Sequence, residues 1–159
     1  AVSEFASRAG EKLRKQGSFA SQVYVFAHTS PFRPPPQFSR GVMVPLRRPT
    51  ADSALLVAAA IAGMRRIYEP GYQLAKCGVM LLDLVESSLY QAELDLEPGE
   101  DRDQSHLMGT IDQLNRRFGK RTVFVGSAGV PQAHEWAMRQ ERRTPQYTTR
   151  LADVPIARA

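Results

Sequence analysis

Apolar residues recur along the first part of the chain with two different periods. Val2, Phe5, Ala6, Ala9 and Leu13 fall at helical spacing, opposite Glu4, Arg8, Glu11, Lys12 and Lys15. This predicts an amphipathic helix over residues 2–16, stopped by Gly17. Gly10 within it costs about 1 kcal/mol relative to alanine. Over residues 21–29 the period changes, and β-branched and aromatic residues occupy both parities. A strand buried on one face and covered on the other is expected there. The following "SPFRPPP" is a loop, because proline cannot continue a central strand. The chain returns over residues 38–48, with Val42, Val44 and Leu46 on one parity; Pro45 places this strand at an edge or a bulge. Asp52 or Thr50 caps a second helix over residues 53–68, closed by Pro70 and Gly71, and residues 74–85 read as a third strand.

The order helix, strand, strand, helix, strand lacks only an opening strand to become a βαββαβ sandwich with its helices on one sheet face. The missing strand is expected upstream of Ala1, and a start on Ala rather than Met suggests a fragment or a trimmed product. Were that strand central, as in a ferredoxin-like order, the remaining sheet would carry a gap and lose stability. Further on, Leu107, Ile111, Leu114 and Phe118 mark another helix, ended by Gly119. "TVFVG" over residues 122–126 reads as a short strand, residues 131–142 as a helical segment, and residues 144–155 as an extended, proline-bounded close. The fold class is therefore α+β: a truncated sandwich, a linker and a small α/β C-terminal domain.

Charge divides the chain in the same way. Residues 1–88 hold 11 Lys and Arg against 6 Asp and Glu, residues 89–103 hold one Arg against six carboxylates, and residues 104–159 hold 9 against 4. Two basic blocks thus flank an acidic spacer in a chain of net charge +5. A basic globular block favours a polyanionic partner, because each cation set on a phosphate releases condensed counterions. The apolar fraction, 43% of 159 residues, is enough for a core. Cys77 is the single cysteine, which excludes an internal disulfide and a Cys-rich zinc site and fits a cytoplasmic setting. No apolar run approaches the roughly 20 residues of a membrane helix, and residues 1–20 lack the apolar core of a signal peptide. No membrane partner is expected.

Arg40, Arg47 and Arg48 on one strand, Lys76 on another and Arg33 in the loop between are placed to put cations on the sheet face that the helices leave bare. Such a face either contacts phosphates or is a solvated basic surface. "HEWAM" at residues 134–138 begins like a zincin motif and lacks its second histidine. Asp83, Glu86 and Asp112 are too scattered for paired-carboxylate chemistry, "GSAG" at residues 126–129 is a turn rather than a phosphate loop, and His28 closes a strand. No catalytic or metal-binding set is advertised. Gln91, Leu94 and Leu96 are isolated in the charged spacer. They either belong to an idle linker or dock, as an extended peptide, in a partner's apolar cleft.

"TSPF" at residues 29–32, "KCGVML" at 76–81, "TIDQLNRRFGKRTVF" at 110–124 and "EWAMRQERRTPQYTTRLADVP" at 135–155 resemble the C-terminal half of the UmuC-type Y-family translesion DNA polymerases. The resemblance runs over essentially the whole chain. Its most specific part is the tail, with Trp136, Met138, Tyr147, Thr148, Thr149 and Arg150. It implies that residues 1–88 are a DNA-gripping little finger domain, residues 89–104 an acidic linker and residues 105–159 a C-terminal domain that contacts accessory subunits. It further implies that the bare basic face holds primer-template DNA. Arg40 and Lys76 match positions near family DNA contacts, whereas Arg33, Arg47 and Arg48 are added from their placement alone. Gln91, Leu94 and Leu96 match a Q-x-x-L-x-L peptide for the sliding clamp, with Ala92 in place of the usual Leu and no Phe. A processed UmuD-type dimer and RecA are the other partners the resemblance implies, in error-prone synthesis during the SOS response to damaged DNA. The family's catalytic palm, with its Mg²⁺-binding carboxylates, has no counterpart in these residues, so no catalytic residue carries over.

Overall fold

The computed structural model describes residues 1–89, 104–129 and 144–156. It begins with helix α1 (Val2–Gln16), closed at Gly17 in the left-handed region, φ 73°. Strand β1 (Ser18–Thr29) follows, then the proline loop, strand β2 (Ser39–Thr50), helix α2 (Ser53–Ile67) and strand β3 (Leu74–Glu86). Both residues proposed to cap α2 take part. The Asp52 carboxylate accepts from the Ala54 N–H at 2.6 Å, and the Thr50 hydroxyl oxygen accepts from the Asp52 N–H at 3.1 Å. Together they replace partners that the first turn of a helix lacks.

The three strands form one continuous antiparallel sheet in the order β2-β1-β3. The gap expected from a ferredoxin-like order does not exist. β1, the most buried strand, is central and pairs on both sides, so no strand position is vacant between neighbours. Pro45 meets both of its expectations. β2 lies at an edge of the described sheet, and its register against β1 jumps from Val44, Pro45 and their neighbours to Thr50 opposite Ala20. A proline without an N–H is tolerated where the ladder breaks.

α1 and α2 pack on one side of the sheet. Val23, Val25 and Ala27 of β1 point to them and are buried, joined by Leu13 from α1 and by Leu56, Val57 and Ala60 from α2. Gly10 is useful where the two helices cross: a Cβ there would meet the Ser53 hydroxyl at 3.0 Å and a Leu56 methyl at 3.1 Å. The helix-propensity cost of that glycine is offset by this close approach. The even positions Tyr24, Phe26 and His28 face the other way, are only half-buried, and have no helix over them. The cover expected on the second face of β1 is therefore not provided by the described residues.

The tail lies on the helical side. Helix α3 (Ser105–Phe118) buries Met108 and sends Asp112 to Arg14 of α1 through two bonds, 2.7 Å to Nε and 2.8 Å to an η nitrogen. Arg14 also donates to the Ala51 carbonyl at 2.7 Å and the Ser53 hydroxyl at 2.8 Å, so one guanidinium links α1, α2 and α3. Residues 122–126 are not a strand. Instead the Asn115 side-chain amide donates to the Val123 carbonyl at 2.8 Å and accepts from its N–H at 2.9 Å. This amide supplies the two bonds that a neighbouring strand would have given. It also holds the adjoining Arg121 within 3.0 Å of Glu4. Glu4, placed on the polar face of α1 by helical spacing, is buried by that contact.

Gly126–Ala128 form the expected turn. The close of the chain is not extended: the Gln146 carbonyl accepts from the N–H groups of Thr149 and Arg150, at 3.1 and 2.8 Å, and a short 3₁₀ turn covers Leu151–Asp153. No strand occurs among the described residues after Glu86, so the described tail is helix and turn rather than α/β. The proposed helix over 131–142 lies outside the described residues.

Candidate nucleic-acid interface

Antiparallel partners project to the same side of a sheet, so the register alone assembles the face that the helices leave open. Gln22 stands between Pro45 and Leu82, Tyr24 between Met43 and Met80, Phe26 between Gly41 and Gly78, and His28 between Ser39 and Lys76. None of these twelve residues is a carboxylate; Glu4, Glu11 and Asp52 sit on the helices or at their caps, and the exposed Asp83 and Glu86 of β3 lie beyond Leu82, outside these four rows.

The centre of this face is a row of rings. Tyr24 and Phe26 have centroids 6.0 Å apart with planes inclined by 27°, and Phe26 and His28 are 6.2 Å apart at 12°. The two glycines make room for them. A Cβ on Gly41 would overlap the Tyr24 hydroxyl end, and one on Gly78 would overlap the tip of the Phe26 ring. Each ring therefore leans across a neighbouring strand at a position without a side chain, which covers otherwise bare backbone. Met43 and Met80 flank Tyr24 and are 56% and 47% exposed. His28 donates from Nδ1 to the Thr29 carbonyl at 2.9 Å, which fixes the ring at the strand end and leaves Nε2 as its outward nitrogen.

The five cations proposed from sequence divide between two sides. Lys76 is exposed and pairs directly with His28 on the open face. Arg47 continues the exposed parity of Gly41, Met43 and Pro45. Arg33 is exposed at the loop end and donates to the Gln73 side-chain carbonyl at 2.8 Å. Arg40 is opposite Ala27, on the helix-side parity; it pairs with Glu69 at 2.8 Å and lies 5.2 Å from the Phe38 ring centroid. Arg48 shares the parity of Val42, Val44 and Leu46 and is half-buried. The proposal that all three arginines of β2 lie on the open face is thus corrected for Arg40, which register sets on the helix side. Arg47 and Arg48 lie in the stretch where the register breaks, and there they differ in burial, Arg47 exposed and Arg48 half-buried.

Cys77, next to Lys76, points to the helix side, and its half-burial pushes the thiol pKa up. It is an apolar packing group rather than a thiolate. Tyr147, Thr148 and Thr149 form a turn leading into Arg150, and the Asp153 carboxylate accepts from the Gln146 N–H at 3.1 Å. Gln91, Leu94, Leu96, Trp136 and Met138 lie outside the described residues. Among the described residues no group of three or more His, Cys, Asp and Glu is placed to hold a metal ion, so none is assigned to Mg²⁺. No described helix is long and apolar enough to cross a membrane.

What the sequence reading missed was the ring row. Its signal is present in the alternation Tyr24, Phe26, His28 against Val23, Val25, Ala27, with glycines at 41 and 78 on the two returning strands.

A three-stranded sheet backed by two helices, with an open face lined by a row of rings and a helical tail on its far side, defines a small α+β platform domain. Comparison with known proteins places it: the impB/mucB/samB family C-terminal domain matches residues 1–94, and a domain of unknown function (DUF4113) matches residues 105–157. The chain belongs to the impB/mucB/samB family and corresponds to the C-terminal region of the UmuC-type Y-family polymerases. It is 36% identical to ImpB of Salmonella typhimurium over 159 residues, 99% of this chain and 37% of that protein. It is 34% identical to UmuC of Salmonella typhimurium strain LT2 over 155 residues, 97% of this chain and 36% of that protein. With MucB of Escherichia coli the identity is 36% over 160 residues, 99% of this chain and 36% of that protein. The chain thus spans little more than a third of the length of these relatives.

Proposed function

We propose that this chain is the DNA-gripping and tethering part of an error-prone translesion polymerase acting on damaged DNA. Residues 1–88 hold primer-template DNA on the open sheet face, residues 89–104 link, and residues 105–159 receive accessory subunits such as a processed UmuD-type dimer and RecA. Nucleotidyl transfer with Mg²⁺ belongs to the polymerase's catalytic region. The observation that carries this reading is the stretch of open face from Gln22 to His28, where no registered residue is a carboxylate and Lys76 supplies a cation at one end; Arg47 adds an exposed cation near the other. A polyanion meets no like charge there, and each phosphate held by a cation releases counterions.

Arg40 lies on the helix-side parity beside Glu69, and Arg33 lies at the loop end beside Gln73, so both border the face rather than stand in it. Lys76→Glu combined with Arg47→Glu is expected to weaken binding to a primer-template oligonucleotide by more than tenfold. It should also flatten the slope of log K against log salt by about two, one for each cation removed. Measurement is by fluorescence anisotropy from 50 to 200 mM salt. Unchanged affinity and slope would remove the face from the DNA contact.

The tether is assigned to Gln91, Leu94 and Leu96, whose amide and apolar anchors suit an extended peptide in an apolar cleft. Gln91→Ala with Leu94→Ala is expected to abolish retention by the sliding clamp and to leave the DNA midpoint where it was. Clamp retention by the double variant would end this assignment.

A further inference from the structure

We propose that the open sheet face is selective for unpaired bases, with the Tyr24, Phe26 and His28 row acting as a stacking platform for single-stranded nucleic acid. This rests on the reading of that face as a DNA contact and deepens it, because a grip on phosphates alone has no use for a row of half-buried rings that no helix covers.

Three observations support it. The rings run along one strand at centroid spacings of 6.0 and 6.2 Å, successive planes inclined by 27° and 12°, so successive bases of a splayed strand find successive ring surfaces. The partners that would obstruct them are glycines, Gly41 and Gly78, while the neighbouring Met43 and Met80 are flexible thioethers that adapt to a flat ligand. Finally, Lys76 beside His28 supplies a cation at one end of the row, and no carboxylate stands in the registered face to repel a backbone.

A stack of bases inside a duplex presents its edges and phosphates outward and conceals its π-faces. Only an unpaired base can lie on a ring, and stacking of that kind contributes about 1–3 kcal/mol per base irrespective of sequence. Duplex DNA therefore gains only the cationic rim, whereas a single strand gains the rim and the rings. A template strand next to a blocked base is such a ligand by its chemistry.

The test uses the 159-residue chain and two fluorescein-labelled probes, a 12-nucleotide oligothymidine and a blunt hairpin duplex, at matched salt. The single strand is expected to bind at least fivefold more tightly than the duplex. Tyr24→Leu with Phe26→Leu is expected to weaken the single strand by about tenfold or more while the duplex affinity stays within twofold. Tyr24→Phe with Phe26→Tyr, which keeps both rings, should restore binding and so separates loss of stacking from loss of fold. If the duplex is bound, and the single strand gains nothing and is indifferent to the leucine pair, the stacking platform is overturned and the DNA grip stands. If neither probe is bound, the reading of the face as a DNA contact fails, and the platform with it. A face built for a protein partner gives that same second result.

Discussion

Asp112→Ala is expected to lower the unfolding free energy by about 3 kcal/mol, far more than the ~0.5 kcal/mol typical of an exposed ion pair. The reason lies in what remains. Arg14 and Asp112 are 14% and 15% exposed, and the guanidinium is held in place by the Ala51 carbonyl and the Ser53 hydroxyl whether or not its counter-charge is present. Removing the carboxylate leaves a mostly desolvated cation facing the cavity beside Met108 and Ile111. Replacing both partners by apolar residues, Arg14→Met with Asp112→Leu, avoids that unpaired charge and should cost at least 1 kcal/mol less than the single change. Urea denaturation of the parent, the Asp112→Ala variant and the double variant measures the difference. An Asp112→Ala variant within 0.5 kcal/mol of the parent would mean that α3 does not hold Arg14 in solution.

That ion pair also marks the limit of what was legible in sequence. Both helices of the platform and all three strands follow from local period and caps: Asp52 and Thr50, Gly17, Pro45 and the Val23, Val25, Ala27 parity each decide one boundary or one face. Strand order does not follow, because it depends on which partners β1 takes, and nothing local distinguishes a contiguous sheet from one with a gap. The tail was harder still. Val123 has the composition of a strand residue, yet its backbone is satisfied by the Asn115 amide eight residues earlier. Glu4 sits on a polar helix face by spacing and is buried by Arg121, more than a hundred residues away in sequence.

The candidate site was half legible for the same reason. Cations are easy to find in a sequence, and the structure sets Lys76 opposite His28 on the open face and leaves Arg47 exposed. Which side of the sheet a cation takes is fixed by register, and register set Arg40 opposite Ala27 on the helix-side parity, beside Glu69. The acidic spacer and its Gln91, Leu94 and Leu96 anchors were read from sequence alone, and their test is functional.

Leu56→Ala is the second large effect, at about 3 kcal/mol and a fall in Tm of roughly 10 °C. Leu56 is fully buried on the face of α2 that meets α1 and the core, and it lies against the position of Gly10. The neighbouring helices are fixed by the Arg14 bonds to Ala51 and Ser53, so they cannot collapse into the space that the truncation opens. Leu55, the preceding residue, is 45% exposed, and Leu55→Ala should cost under about 1 kcal/mol. The pair shares one helix, one chemistry and one change in propensity, so the difference isolates burial. Because α2 touches only the covered side of the sheet, the open face keeps its rings and cations in both variants. Oligonucleotide affinity measured well below either Tm is expected to stay within twofold of the parent. Equal melting shifts for the two leucines would contradict the placement of α2. A loss of affinity at Leu56→Ala, while the chain is still folded, would show that the two sides of the sheet are not independent.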